Sequence, residues 1–153
     1  MRALPLSAAL LLWAVTLHGQ NTSTHSAPKL SWGPAPAVFP AGAKMAVVSG
    51  DPGKAAPFTV QLSLPDGYRI PPHFHPTDET VEVKQGTFLV GMGDSLDLAK
   101  TDTMNVGAKG EVPANSHHYA VAKGATVVSV TAMGPFAMTY VNPADDPQRA
   151  SQP

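Results

Sequence analysis

No cysteine occurs anywhere in the chain, which excludes disulfides, a cysteine nucleophile and a lipid anchor of the kind attached to cysteine after an export signal. Charge is scarce as well: Asp, Glu, Lys and Arg make up 14% of residues, against about 25% in typical soluble domains. Ten basic and eleven acidic residues leave a formal charge of −1. Such a balance supplies no field that tracks phosphates, so nucleic acid is excluded as a partner. No P-loop, dinucleotide fingerprint or serine-nucleophile motif is present. Helical periodicity is also missing beyond one turn's worth at Ser95 to Lys100. Sixteen prolines reinforce that absence, because each removes a backbone donor and breaks a helix interior.

What remains is sufficient for a folded domain. Apolar residues are 43% of the chain, too many for a disordered one, and 153 residues allow a single domain. The first nineteen residues stand apart. Arg2 precedes an apolar run from Ala3 to Leu17, and the stretch closes on the small residue Gly19. This pattern predicts a secretory signal peptide over 1–19, cleaved after Gly19. The run is shorter than the roughly 20 residues that span a bilayer, so no stable membrane insertion is expected. The expected location is secreted or periplasmic, with a mature charge of −2 because Arg2 is lost.

Gln20 to Lys29 is polar, and residues 20–39 read as a flexible leader and N-terminal arm. Residues 143–153, rich in Pro, Asp and Gln, read as a C-terminal tail. Between them lie short apolar runs separated by turn signals. They are Lys44 to Ser49, Phe58 to Leu64, Glu79 to Lys84, Thr87 to Met92, His117 to Ala122, Ala125 to Thr131 and Phe136 to Val141. Runs of this length, rich in Val, Thr and Phe and punctuated by Gly and Pro, predict strands. Many short strands in one small domain predict an all-β sandwich or barrel.

Five histidines follow the predicted cleavage site, and four of them form two groups. In the first, His73-Phe74-His75, the rings are two residues apart, so a strand aims both at one side. Glu79 follows after Pro76, while Asp78 and Glu82, at odd spacing from Glu79, are expected to face away. Neutral imidazoles with a carboxylate suit Zn, Fe, Mn or Ni. In the second group, His117-His118, neighbours face opposite ways and only one can join such a site. Spacing alone leaves open which. Phe88, Val90 and Met92 alternate along one run and either line the interior or simply pack the core. Arg69, one of two arginines after the signal, is either an anion clamp at the mouth or a solvated turn charge.

The spacing Gly67, five residues, His73-x-His75, three residues, Glu79, six residues, Gly86 resembles the first motif of the cupin superfamily at every position. Gly107, Pro113 and His118 resemble its second motif, more loosely. Asn115 stands where that motif usually has glycine, and Ala122 where it usually ends in asparagine. Asparagine tolerates the left-handed conformation the turn requires. The resemblance covers 40–142 and extends to small secreted single-domain bacterial cupins of unassigned function. It implies a cupin domain over 40–142: a single jelly-roll β-barrel of two packed antiparallel sheets. It further implies a divalent transition metal held by His73, His75, Glu79 and His118, with His117 facing away. Relatives of this kind act on or bind small molecules and often form homodimers. The expected activity is that of a dioxygenase-type oxidoreductase on a small organic molecule, with a binding or sensing module or a Lewis-acid isomerase as alternatives. No residue stands out as a general acid or base.

Overall fold

The computed structural model describes residues 29–149. The predicted signal peptide, the leader up to residue 28 and the last four residues of the tail lie outside that range. Nine strands form in chain order among the described residues. They are β1 (Gly33–Pro34), β2 (Lys44–Ser49), β3 (Pro57–Leu64), β4 (Arg69–Phe74), β5 (Glu79–Met92), β6 (Thr101–Asn105), β7 (Lys109–Val112), β8 (His118–Met133) and β9 (Thr139–Tyr140). Every pairing is antiparallel. Only two single-turn 3₁₀ helices accompany them among the described residues, Leu98–Lys100 and Pro143–Asp145.

The barrel is organised by β5 and β8, which pair along nearly their whole lengths from Glu79↔Ala132 to Met92↔His118. The sequence pattern predicts each as two strands with a turn between. Instead each is one strand that bends, with register shifts between Val83 and Thr87. Gly86 makes the corner at φ +75°, and a Cβ there would lie 2.6 Å from both the Ala125 carbonyl and the Thr126 hydroxyl. A left-handed residue inserted into a continuous ladder produces a bulge and a sharp bend without reversing the chain. The Thr126 hydroxyl, 3.1 Å from the carbonyls of Thr87 and Gly124, ties the corner from inside.

The bend divides the ribbon between two sheets. The early half of β5 and the late half of β8 lie between β7 and β3, with β2 and β1 beyond β3. The remaining halves lie between β6 and β4, with β9 beyond β4. This is the all-β jelly roll expected from the sequence. Period-two alternation supplies the core: along β3, Phe58, Val60, Leu62 and Leu64 point inward and are buried. Each such side chain contributes roughly 1.5–3 kcal/mol when fully buried. On the outer face, Tyr119 is completely buried over Gly91, its cross-strand partner, where a Cβ would come within 2.2 Å of the ring.

Two details differ from the sequence reading. The run Phe136 to Val141 forms only the short β9, and residues 134–138 cross the barrel as irregular chain anchored by Phe136 N–H to the Pro52 carbonyl (2.7 Å). The arm before residue 40 is packed from residue 33 onward. Gly33–Pro34 pairs with β2, Phe39 is buried in the core, and the Tyr140 hydroxyl donates to the Val38 carbonyl at 2.7 Å. Tyr68 donates likewise to the Pro40 carbonyl. Burial pushes the Tyr68 phenol up to about 12, and burial followed by neighbouring Tyr68, Asp146 and Asp145 pushes Tyr140 up too, so both remain donors.

Candidate metal centre

His73 and His118 are brought together by strand pairing, since His73 of β4 lies opposite His118 at the start of β8. Their rings are 4.1 Å apart. Parity along β4 needs a correction at Pro71-Pro72. Ile70 and His73 are three residues apart yet both face the interior, and the β4–β8 register shifts between them. Prolines without N–H groups fit such an interruption. His75 lies just past the end of β4, with its ring 5.0 Å from His73 and 5.5 Å from His118. One ring nitrogen from each of the three lies within 4.8 Å of the other two.

Glu79 opens β5 at the far end of the ribbon from His118, and the corner at Gly86 folds that end back. Its carboxylate oxygens stand 3.5 Å from His75 Nε2 and 3.6 Å from His118 Nε2. Asp78 turns away and accepts from the Ala114 N–H at 2.7 Å. Glu82 also turns away, to Lys84 and Lys109. Those lysines hold the half-buried Glu82 carboxyl below its ordinary value, the Lys84 hydrogen bond foremost. His117 faces outward, stacked on Phe74 with its Nδ1 2.6 Å from the Asp94 carboxylate. Asn115, at φ +61°, makes the turn before it and donates its N–H to the His75 carbonyl.

The Nδ1 atoms of the three inner histidines all meet backbone carbonyls: His73 on Pro71 (2.7 Å), His75 on Ala137 (2.7 Å) and His118 on Ser116 (3.0 Å). A carbonyl only accepts, so each Nδ1 carries the proton and, in the neutral tautomer, each Nε2 presents a lone pair. Burial, then the imidazoles of His118 and His75, push the His73 pKa well below the usual histidine value, against its bond to Pro71. Three lone pairs and a carboxylate thus converge inside an apolar barrel. Such a donor set fits a divalent transition ion, and the carbonyl partners supply the outer support that metal-binding imidazoles normally have. Sequence reasoning missed those carbonyls. Two lie two residues before their histidine, while Ala137 is 62 residues from His75 and carries no signal in the sequence.

The cluster forms one wall of a cavity of about 480 Å³. Phe88, Val90 and Met92 all line it. Phe136 lies on the crossing segment with its ring 5.6 Å from that of His75, between Phe39 and Phe58. Arg69 is exposed, and the cavity lining does not include it.

An all-β jelly roll with three interior histidines beside a carboxylate has the architecture of a cupin. Comparison with solved structures agrees on the fold. A cupin superfamily protein from Desulfitobacterium hafniense superposes with TM-score 0.51 at 14% identity, over 61% of this chain and 78% of the other. A candidate acetylacetone dioxygenase from Methylibium petroleiphilum gives TM-score 0.58 at 22% identity, over 77% of this chain and 79% of its own. The polyketide cyclase RemF from Streptomyces resistomycificus gives TM-score 0.56 at 17% identity, over 72% and 80%. No protein-family model and no curated relative matches the sequence. The chain therefore carries the cupin fold, and its three buried histidines could hold a metal ion.

Proposed function

We propose that this is an exported cupin that holds a divalent transition metal through His73, His75, Glu79 and His118 and acts as a dioxygenase-type oxidoreductase on a small organic molecule. The observation that carries the metal reading is the common anchoring of all three Nδ1 atoms to carbonyls. It leaves three Nε2 lone pairs and the Glu79 carboxylate facing one another. Imidazole nitrogens and a carboxylate facing one another in this way form a donor set suited to a divalent transition ion.

When bound, a divalent ion would supply Lewis acidity and coordination positions not taken by the four protein donors. The chain's own residues do the remainder. Pro71, Ser116 and Ala137 orient the imidazoles, and the apolar walls exclude water. The fold neighbour named as a candidate acetylacetone dioxygenase offers a precedent for oxygen chemistry on this scaffold. A second reading, a metal-dependent binding or sensing module, is favoured by one feature. Apart from the four donors, the described cavity lining offers no buried residue suited to proton transfer. Export, with a mature terminus at Gln20, and pairing into a homodimer complete the proposal.

Metal analysis of protein recovered from the exported compartment, followed by oxygen-uptake screening with that metal, tests it. Oxygen consumption linked to substrate loss supports the oxidoreductase. Tight ligand binding without product would establish the binding module, and protein without metal would remove both.

A further inference from the structure

The composition of the cavity wall narrows what can occupy it. Four phenylalanines (Phe39, Phe58, Phe88 and Phe136) and three methionines (Met45, Met92 and Met104) line it together with aliphatic residues of β3, β5 and β8. Among the described lining residues there is no Ser, Thr, Asn, Gln, Tyr, Trp or Arg. Charged side chains other than Glu79 are limited to Asp102, Lys109 and Glu111, all exposed on β6 and β7. Phe136 brings this apolar wall to within 5.6 Å of the His75 ring. Apart from those three exposed residues, the polar side chains of the described lining are confined to the histidine–carboxylate cluster.

We infer that the ligand is a largely apolar molecule with its oxygen donors at one end and no charged group elsewhere. That end meets the cluster, and the hydrocarbon body lies against the phenylalanine wall. Sugars and polyols are rejected, because each hydroxyl buried against Phe, Met or Val would lose its water without gaining a partner. Phosphorylated compounds and dicarboxylates are rejected because the described lining holds no buried lysine or arginine to receive a second anionic group, Lys109 being exposed. A volume of about 480 Å³ suits a small molecule, within the usual range of roughly 300–1,000 Å³. The inference about the oxygen-donor end rests on the metal reading above; the inference about the apolar body does not.

Two probe series separate them. The metal-loaded protein is titrated with straight-chain alkyl hydroxamic acids of four to eight carbons, and chelated protein with n-alkan-2-ones of the same lengths. Affinity should rise roughly fourfold per methylene in both series. Gluconohydroxamic acid should bind no better than the shortest alkyl member. Methionine methyl resonances locate the ligand. Met45, Met92 and Met104 line the cavity and should shift with heptan-2-one, whereas Met133, exposed and absent from the lining, should not. A flat ketone series, tightest binding by the polyol probe, or shifts confined to Met133 would each overturn the inference. Protein that retains no metal but keeps the ketone chain-length dependence would overturn the metal reading and leave the apolar ligand class standing.

Discussion

Replacing each of two adjacent histidines by alanine tests the candidate centre most directly. The His118 side chain is 4% exposed with Nε2 3.6 Å from Glu79; the His117 side chain is 39% exposed and paired with an Asp94 side chain that is 70% exposed. A native-state ligand stabilises by RT ln(1 + [L]/Kd), about 2.7 kcal/mol at a hundredfold excess over Kd. For a domain of this size that raises Tm by roughly 10 °C. Loss of even an outer partner of a metal ligand weakens affinity about 10–100-fold, and loss of a donor should do at least as much. A hundredfold weakening leaves about 0.4 kcal/mol of metal-dependent stabilisation at the same concentration, a shift of roughly 1–2 °C. His117→Ala removes a surface pair worth about 0–1 kcal/mol and should leave the metal-dependent shift intact. Thermal melts of chelated and reloaded protein, with metal content measured in parallel, read both variants. An empty site in His117→Ala with a full one in His118→Ala would refute the reasoning outright. Indifference to both changes would reduce the centre to His73, His75 and Glu79. Loss in both would mean that the start of β8 departs from alternation.

Three further outcomes are expected. His73 binds its proton more weakly folded than unfolded, because burial and the imidazoles of His118 and His75 lower its pKa. In chelated protein its contribution is therefore complete above the unfolded value of about 6.5 and is lost on acidification, with a slope of up to about 1.4 kcal/mol per pH unit. Urea melts of wild type and His73→Ala from pH 4.5 to 7.5 isolate that contribution, and parallel pH dependences would count against it. Gly86 and Gly124 have nearly equal φ angles, +75° and +74°, but only Gly86 has atoms where a Cβ would go. Alanine at Gly124 should cost about 1–2 kcal/mol for the left-handed backbone alone; at Gly86 overpacking adds roughly 1–3 kcal/mol, and equal denaturation midpoints would contradict the corner described above. Tyr140→Phe deletes the donor to the Val38 carbonyl and should cost about 1 kcal/mol, with faster amide exchange over residues 33–40; unchanged exchange there would show that the arm is held by Phe39 packing alone.

Much of this molecule is legible from local rules. Gly and Pro punctuation with period-two apolar patterning gives an all-β domain, because a strand's side chains alternate whatever lies around it. The same alternation sends one of His117 and His118 outward, and the propensity of asparagine for positive φ anticipates Asn115 at φ +61°. The motif resemblance singled out His73, His75, Glu79 and His118 before any contact between them was visible. Other features required the tertiary structure. Gly86 and Gly124 mark turns in a one-dimensional reading, yet they are corners within unbroken strands, since only pairing partners on both sides determine whether a chain bends or reverses. The Pro71-Pro72 interruption that lets Ile70 and His73 share a face shows itself as a register shift, a property of two strands together. Phe39 and the arm before it belong to the core because Tyr68 and Tyr140 reach them from strands distant in sequence. The tautomer of His75 is set by Ala137, 62 residues away. Side-chain identity and local spacing determine what a residue can do; which nitrogen carries the proton, and what wall it faces, depend on groups that only long-range folding brings within hydrogen-bonding distance.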